Sequence, residues 1–288
     1  MKKILLITLT LLGLNSFAQS FPGEMPDLLL NKIVMPIAKE KDFQRFGYNN
    51  FIQKFDKKRK TYNRFRNVPL SSDGIKSDYE KLVGKEFKVI GIYKPENTYS
   101  SDNEFILELE NNEIGIIFYK YDKRFETSYE LETKTPLNFP EDYFCKQMWY
   151  KKDKFNGMEN FYTPLERNLN LGKVIIDGNT NIVLGISVYG STLNVNETGA
   201  FILLKDGKKI LRDKQKLDVE ASSSGWIYKA SIILTEEDIQ LLRNSEITDV
   251  KLYIYDSEIS KKEAYLLQEY LKCMTKDLTN LKDQMKSF

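Results

Sequence analysis

The sequence predicts a mainly β protein of the α+β class, with a small twisted β-sheet or barrel module, an antiparallel β-sandwich-like module and a C-terminal amphipathic helix. Short runs rich in β-branched and aromatic residues alternate with turn dipeptides such as Asp177-Gly178 and Asp206-Gly207, which is typical of antiparallel hairpins. From residue 264 onward, apolar residues recur with gaps of three and four, which is the spacing of one face of a helix. These two patterns together predict the fold class.

A strand–helix–strand unit shows the pattern most clearly. Residues 226–234 are rich in aromatic and β-branched types and contain no glycine or proline, so they predict a strand. Thr235 then begins a short helix, because its hydroxyl can accept a hydrogen bond from the free amide of Asp238 in the first turn. Residues 247–255 alternate between apolar and polar side chains, which predicts a half-buried strand.

The chain divides into five predicted segments. They are a signal peptide at residues 1–18, a basic N-terminal arm or helix at 19–70, a small β module at 71–140, a β-sandwich-like module at 141–257 and an amphipathic helix at 258–288. A turn-rich cluster at 69–74 marks one boundary, and Pro136 and Pro140 mark another.

The N-terminus has the three parts of a signal peptide. Lys2 and Lys3 precede an apolar run at 4–14, and Ser16-Phe17-Ala18 places small residues three and one before a cut after Ala18. This run is too short to cross a bilayer, and no later apolar stretch is long enough to do so. Because the first cysteine is Cys145, we expect no lipid-modified N-terminal cysteine. The sequence therefore predicts an exported protein, periplasmic or secreted, that is not a lipoprotein and has no membrane span.

Charge is unevenly distributed along the predicted segments. Without residues 1–18 the chain has 41 basic and 41 acidic residues, and this zero balance argues against nucleic acid as a partner. The net charge is +6 in residues 19–70, −5 in residues 71–140 and −1 in the remainder. Aromatic and basic residues interleave at 42–66, a pattern that can also bind single-stranded nucleic acid or an anionic surface. We favour a helix packed on the protein through its aromatic side chains, with the arm lying across the acidic module.

The acidic module contains a predicted hairpin. Phe105, Leu107 and Leu109 alternate with glutamates, so one face of this strand is predicted to be acidic. Asn111 and Asn112 can adopt the positive φ values of a tight turn, and the chain returns as a second strand.

The two cysteines, Cys145 and Cys273, have two alternative interpretations. In an oxidising compartment they can form a disulfide that closes a long loop and adds ~4 kcal/mol of stability. Alternatively they are two buried thiols that fill space in a core.

The C-terminal tail has a heptad pattern of apolar residues. These are Ala264, Leu267, Leu271, Met274, Leu278, Leu281, Met285 and Phe288. The pattern predicts a helix laid across a sheet, and its alternative is a coiled coil that binds a partner or through which the chain self-associates.

The absence of histidine limits the chemistry of the protein. The chain has no histidine, which excludes Ser-His-Asp and Cys-His catalysis and zinc sites that use imidazole. No glycine-rich phosphate loop or dinucleotide fingerprint is present, so we expect no cofactor and no metal. We therefore assign no catalytic residue.

Three motifs look like functional sites and fail on inspection. Residues 185–189 begin like a nucleophile elbow, but Tyr189 stands where a second glycine is needed. Ser101-Asp102-Asn103 lacks the companion motifs of penicillin-recognising enzymes, so it predicts a polar turn. Residues 177–181 lack the glycine and the closing glutamate of a calcium loop, so they predict a hairpin tip.

Several short stretches between residues 80 and 257 match a common pattern. They are residues 81–89, 119–122, 153–157, 162–164, 199–207, 234–238 and 252–256. In these stretches the chain resembles a group of exported, β-rich bacterial proteins of uncharacterised function that often occur as several paralogues. The resemblance implies a two-part β architecture and an envelope or extracellular location, and it transfers no catalytic residues.

The sequence predicts a non-catalytic binding or interaction module of the cell envelope or extracellular space, whose partner is a protein or a glycan. Its 36 aromatic residues include material for stacking on sugar rings. The alternative is a glycan hydrolase that uses two carboxylates, which needs two acids at ~5 Å or ~6.5–9.5 Å across a cleft.

Overall fold

The structure is a computed structural model of the chain. It describes residues 20–61, 76–96, 102–164, 168–223 and 225–287. The predicted signal peptide at 1–18 therefore lies outside the described residues. The chain divides into two compact units, Met1–Asn138 and Phe139–Phe288. Both are built mainly from antiparallel sheets, which confirms the predicted fold class.

The first unit contains six strands and two short α-helices within its described residues. They are β1 (Ile33–Pro36), α1 (Lys41–Gln44), β2 (Phe51–Ile52), α2 (Tyr79–Leu82), β3 (Phe87–Tyr93), β4 (Glu104–Asn111), β5 (Gly115–Asp122) and β6 (Leu131–Thr133). Two single 3-10 turns, Pro26–Leu29 and Glu126–Ser128, precede β1 and β6. The strands form one curled sheet in the order β2-β5-β4-β3-β1-β6.

The segment predicted as a basic arm contributes two strands to this sheet. Strand β1 lies inside the sheet between β3 and β6, with Val34 fully buried. Its backbone therefore has partners on both sides, which a solvated arm would lack. Three lysines of the segment also pair with acids of the later strands and loops: Lys39–Glu130 at 2.8 Å, Lys57–Glu108 at 2.5 Å and Lys60–Glu96 at 2.8 Å.

Strand β4 differs from the half-buried strand that its alternation predicts. Glu104 and Glu108 lie on the predicted acidic face, and both are buried. A small apolar cluster covers this face with Ile52, Phe55 and Phe118. Glu108 is satisfied there by Lys57 and by the hydroxyl of Tyr93, which donates to Oε2 at 2.7 Å. Burial on both faces requires a segment that is distant in sequence, so the local pattern misses it.

The β4–β5 turn is also made differently. The positive φ falls on Gly115, at +82°, and not on the two asparagines. Asn111 instead accepts hydrogen bonds from the amides of Glu113 and Ile114 through its side-chain oxygen. An asparagine side chain that mimics a turn carbonyl removes the need for a left-handed backbone at its own position.

The second unit contains eleven strands and three α-helices within its described residues. They are α3 (Tyr143–Gln147), β7 (Trp149–Lys152), β8 (Glu159–Tyr162), β9 (Leu169–Ile176), β10 (Asn179–Gly190), β11 (Thr198–Leu204), β12 (Lys209–Lys216), β13 (Asp218–Ser222), β14 (Gly225–Ile233), α4 (Glu236–Asn244), β15 (Ile247–Leu252), β16 (Tyr255–Glu258), α5 (Lys261–Met274) and β17 (Lys286–Ser287). A 3-10 helix, Thr279–Gln284, lies between the last two.

Two sheets of this unit share one core. The larger has the order β13-β14-β10-β9-β8-β7-β17 and the smaller has the order β12-β11-β15-β16. Apolar residues of both sheets and of α3, α4 and α5 form a single buried cluster. Helix α4 begins with the predicted Thr235 cap. The structure adds the reciprocal bond of a capping box, so Thr235 and Asp238 each accept a hydrogen bond from the other's backbone amide.

The strand predicted at 247–255 is wrong in its second half. The chain ends β15 at Leu252, turns at Tyr253 and Ile254, and returns as β16, which pairs with β15. Tyr253 has φ +56°, and Ile254 is 55% exposed. The alternation continues through this turn, so periodicity alone joins the two strands.

The C-terminal helix is shorter than the heptad pattern predicts. Helix α5 ends at Met274, and the chain continues through the 3-10 helix to β17, which runs parallel to β7. The heptad residues of α5 are buried in the core of the same unit, so this face is occupied within the chain. No helix in the described part of the chain is long and apolar enough to cross a membrane.

Candidate functional site

The candidate site is a cavity of about 250 Å³ in the first unit, near the C-terminal end of β5. Its wall comes from four separate parts of the chain: the residue before β2, the start of β4, the end of β5 and the segment before β6. The lining side chains that matter chemically are Asn50, Glu104, Tyr121, Arg124, Phe125 and Tyr129.

Strand β5 brings aromatic and charged residues together at this point. Tyr119 and Tyr121 are two residues apart, so they share one face of the strand, and both are buried. Asp122 ends the strand and lies opposite Glu104 of β4 in the sheet register. Because the strand ends here, residues of both faces reach the same cavity.

Arg124 and Asp122 form a closed ion pair at the cavity. The guanidinium donates from Nε to Oδ1 at 3.0 Å and from one terminal nitrogen to Oδ2 at 2.7 Å. The Asp122 oxygen Oδ1 also accepts from the backbone amide of Arg124 at 3.0 Å. These hydrogen bonds lower the pKa of the Asp122 carboxyl below its ordinary value, and they raise the pKa of Arg124.

Phe125 adds an aromatic face to this pair. Its ring is half exposed, and the Arg124 guanidinium carbon lies 4.8 Å from the ring centroid. A guanidinium over an aromatic ring is held by cation–π attraction. The site therefore presents an exposed ring beside a charge-balanced set of hydrogen-bonding groups.

Tyr129 forms the apolar floor of the cavity. Its ring centroid lies 6.0 Å from that of Tyr119, 5.6 Å from that of Tyr121 and 5.4 Å from that of Phe21, each with an edge-on geometry. This arrangement is favourable for aromatic quadrupoles. The residue is only 8% exposed.

The hydroxyl of Tyr129 is buried and has no hydrogen-bond partner among the described residues. Burial also raises the pKa of this phenol well above its ordinary value, so it keeps its proton and remains a donor. By contrast, the Tyr119 hydroxyl accepts from the amide of Glu130 at 2.8 Å, and the Tyr121 hydroxyl donates to the carbonyl of Gly23 at 2.6 Å. A buried hydroxyl without a partner costs about 1–3 kcal/mol, which a ligand that reaches it would recover.

Hydrogen bonds and an ion pair also join the residues before β2 to the segment before β6. Asn50 donates from its side-chain amide to the carbonyl of Ser128 at 2.7 Å. Glu130 accepts from the backbone amide of Asn49 at 3.1 Å and pairs with Lys39. These contacts tie the residues before β2 to the segment before β6.

The residues that the sequence singled out lie elsewhere. Cys145 of α3 and Cys273 of α5 form a disulfide in the second unit, with their Cα atoms 5.3 Å apart. Ser187 lies inside β10, where its carbonyl accepts from Asn168, and residues 177–178 form the predicted tight turn between β9 and β10. Ser101 lies outside the described residues. Within the described ranges, no three acidic or cysteine side chains are grouped in a way that could hold a metal ion.

The sequence analysis did not predict the cavity residues, although one local sequence pattern indicates part of the cavity. On the inward face of β5, Ile117 is followed by Tyr119 and Tyr121, two phenols where aliphatic side chains would complete a core. Two successive inward tyrosines followed directly by charged residues indicate a strand that ends at a polar cavity. The partners from residues 50, 104 and 129 are too distant in sequence to be found this way.

Comparison of the chain with protein-family models, with curated proteins and with solved structures finds no match.

Proposed function

We propose that the protein is a non-catalytic binding module of the cell envelope or extracellular space, and that the Tyr129 cavity binds a neutral carbohydrate. The observation that carries this proposal is the combination, in one cavity, of an exposed aromatic ring, a charge-balanced Arg124–Asp122 pair and a buried phenol without a partner. The signal-peptide pattern and the resemblance to exported β-rich proteins support the location.

The chemistry of the wall favours a sugar over a charged ligand. The positive charges of Lys120 and Arg124 are balanced by Glu104 and Asp122, so an ion entering the site would meet no net opposite charge. A sugar ring has an apolar face that stacks on an aromatic ring such as Phe125. Its neighbouring hydroxyls match the donors and acceptors of an arginine–carboxylate pair.

The size of the cavity restricts the ligand. About 250 Å³ is below the usual range for drug-sized ligands, so the cavity suits a single sugar ring or the end of a longer glycan. The Tyr129 hydroxyl is closed to solvent in the structure, so in the proposed complex a shift of neighbouring side chains exposes it to a sugar hydroxyl, which then accepts from it.

Asp122 is poorly suited to the hydrolase alternative. A glycosidase needs one carboxylic acid that keeps its proton, which requires a raised pKa. The hydrogen bonds from Arg124 lower the pKa of Asp122, so it stays ionised. The two-carboxylate hydrolase remains a prediction, and Asp122 does not supply the protonated acid that it needs.

The test is a calorimetric titration of the chain from residue 19 onward with a panel of neutral and anionic mono- and oligosaccharides. We expect at least one neutral sugar to bind, and we expect Phe125→Ala to weaken that binding about tenfold. Phe43→Ala is the matched control, because Phe43 is a similarly exposed phenylalanine of the same unit outside the cavity.

Two results would contradict the proposal. One is the absence of binding to every neutral sugar, and the other is equal binding by the Phe125→Ala and Phe43→Ala variants. Steady hydrolysis of the bound sugar that is lost in Asp122→Asn or Glu104→Gln would replace the proposal by the hydrolase.

A further inference from the structure

The hairpin β7–β8 in the second unit carries an unusual tip at residues 153–158. Phe155, at this tip, is fully exposed at 101%. Single exposed apolar side chains are common and need no explanation by themselves. At Phe155, the hydrogen-bonded turn that holds the backbone and the neighbouring lysines indicate that the exposed ring is a binding feature.

The turn is held by its own hydrogen bonds and not by the phenylalanine side chain. Asp153 accepts from the amides of Phe155 at 2.7 Å and Asn156 at 3.2 Å through Oδ1, and its own amide donates to the Met158 carbonyl at 2.8 Å. Asn156 accepts from the amide of Met158 at 2.9 Å, and Gly157 has φ +71°. The ring is therefore presented to solvent by a preformed turn, so binding through it needs little ordering.

The surroundings of Phe155 are positively charged. Lys151, Lys152 and Lys154 are all exposed, and residues 151–157 have a net charge of +2. The one acid among them, Asp153, is engaged with the turn amides. Lys152 lies 3.7 Å from Glu159, whose closer partner is Lys282 at 2.5 Å. The lysines of the tip are thus largely available to an external anion.

One face of the hairpin adds interfacial aromatic residues. Trp149 lies opposite Tyr162 in the sheet register, and Lys151 is two residues along, so the three share a face. Trp149 is half-buried and Tyr162 is 37% exposed. Tryptophan and tyrosine are the residues that concentrate where a bilayer meets water.

We infer that this tip binds the surface of an anionic phospholipid bilayer, with Phe155 inserted below the headgroups and Lys151, Lys152 and Lys154 on the phosphates. A protein partner normally needs about 800 Å² of complementary surface on each side, and a single projecting ring does not provide it. A lipid surface has no such shape requirement. A single aromatic side chain can insert into it, and its anionic headgroups attract each nearby lysine.

The test is co-sedimentation of the chain from residue 19 onward with vesicles of phosphatidylcholine alone or of an equal mixture with phosphatidylglycerol. This chain retains all described residues and lacks the apolar run at 4–14, which would bind lipid by itself. We expect binding to the anionic vesicles that weakens as salt screens the lysines. We expect Phe155→Ser to weaken it about tenfold, and Lys151→Gln and Lys154→Gln about fivefold each.

Matched controls come from the same unit. Leu211→Ser removes another half-exposed apolar side chain, and Lys209→Gln and Lys214→Gln remove exposed lysines away from the hairpin. We expect these variants to bind vesicles as the unsubstituted chain does. Thermal melting should be unchanged in Phe155→Ser, because the exposed ring supports no packing.

A second readout detects insertion itself. Phe155→Trp should retain binding and show an added blue-shifted emission that lipids with brominated acyl chains quench. If anionic vesicles do not sediment the chain, or if Phe155→Ser and Leu211→Ser bind equally, the inference is wrong. Binding to anionic vesicles without quenching in Phe155→Trp would also overturn the insertion of this residue.

Discussion

Tyr129 in the first unit and Tyr228 in the second are both buried tyrosines, yet their hydroxyls are in opposite situations. The Tyr228 hydroxyl donates to the carbonyl of Thr192 at 2.8 Å and accepts from the amide of Asn194 at 2.8 Å, so it fastens the loop after β10. The Tyr129 hydroxyl has no partner among the described residues. A satisfied buried hydroxyl stabilises a fold, whereas an unsatisfied one is a cost that a ligand can remove.

Buried charges of the second unit have partners, as the Tyr228 hydroxyl does. Lys173 donates to the carbonyl of Lys276 at 2.8 Å, which ties the end of α5 to β9. Glu263 accepts from the amides of Asn168 and Leu169, each at 2.9 Å. These polar groups lock backbone in place. The first unit has the cavity at Tyr129, and the second unit presents Phe155 at a hairpin tip.

The largest expected change in stability comes from the disulfide of the second unit. Replacing both Cys145 and Cys273 with alanine removes a cross-link between positions 128 residues apart, and we expect a loss of about 4 kcal/mol in the free energy of unfolding. Both tryptophans, Trp149 and Trp226, belong to the second unit, so the midpoint of urea unfolding followed by tryptophan fluorescence reports this loss. An unchanged midpoint would contradict the expectation.

Alkaline pH should lower the stability of the first unit more than that of the second. Burial raises the pKa of Tyr119 and Tyr129 above the ordinary value near 10, so the folded first unit retains protons that its unfolded chain releases. Stability from these phenols is complete below about pH 10 and falls as pH rises, by up to about 1.4 kcal/mol per pH unit for each phenol.

The second unit has an opposing group. Desolvation lowers the pKa of Lys173, so its folded state gives up a proton that the unfolded chain keeps, and this contribution to stability increases as pH rises toward about 10.5. Raised tyrosine pKa values at Tyr265 and Tyr270 act against it. We expect hydrogen exchange in β4 and β5 to accelerate at a lower pH than exchange in β9 and β10. If exchange in β9 and β10 accelerates at the lower pH, the second unit is the more sensitive to alkaline pH and the expectation is wrong.

A buried carboxylate, Glu108, gives the next effect. Glu108→Gln removes the charge that accepts from Lys57 and Tyr93, and we expect the first unit to lose about 2 kcal/mol. The matched control is Glu110→Gln on the same strand, where the side chain is exposed and the change should stay within about 0.5 kcal/mol. Urea unfolding followed by circular dichroism measures both variants. Equal effects would mean that the burial of Glu108 has no energetic consequence.

The smallest expected change in stability directly tests the difference between the Tyr129 and Tyr228 hydroxyls. Tyr129→Phe removes a hydroxyl that has no partner, so we expect stability to increase by about 1 kcal/mol while affinity for the sugar falls. Tyr228→Phe breaks three hydrogen bonds, so we expect a loss of about 1–2 kcal/mol. Thermal melting compares the two variants. If Tyr129→Phe is destabilised as much as Tyr228→Phe, the Tyr129 hydroxyl is part of the scaffold and not of a binding site.

Features that act over a few residues can be predicted from local sequence patterns alone. The hairpin at Asp177-Gly178, the helix cap of Thr235, and the mainly β class all follow from backbone geometry and nearby hydrogen bonds, and each is present in the structure. The absence of histidine also restricts the chemistry before any fold is known.

Which surfaces are covered and which residues come into contact depends on packing between distant segments. The alternation of β4 is the same whether its acidic face is solvated or lies beneath Phe55, and the heptad pattern is the same whether its partner is another chain or a sheet of the same unit. The cavity joins Asn50, Glu104 and Tyr129, which are separated by tens of residues. Such contacts depend on how distant segments pack, and the periodicity of neighbouring residues does not predict that packing.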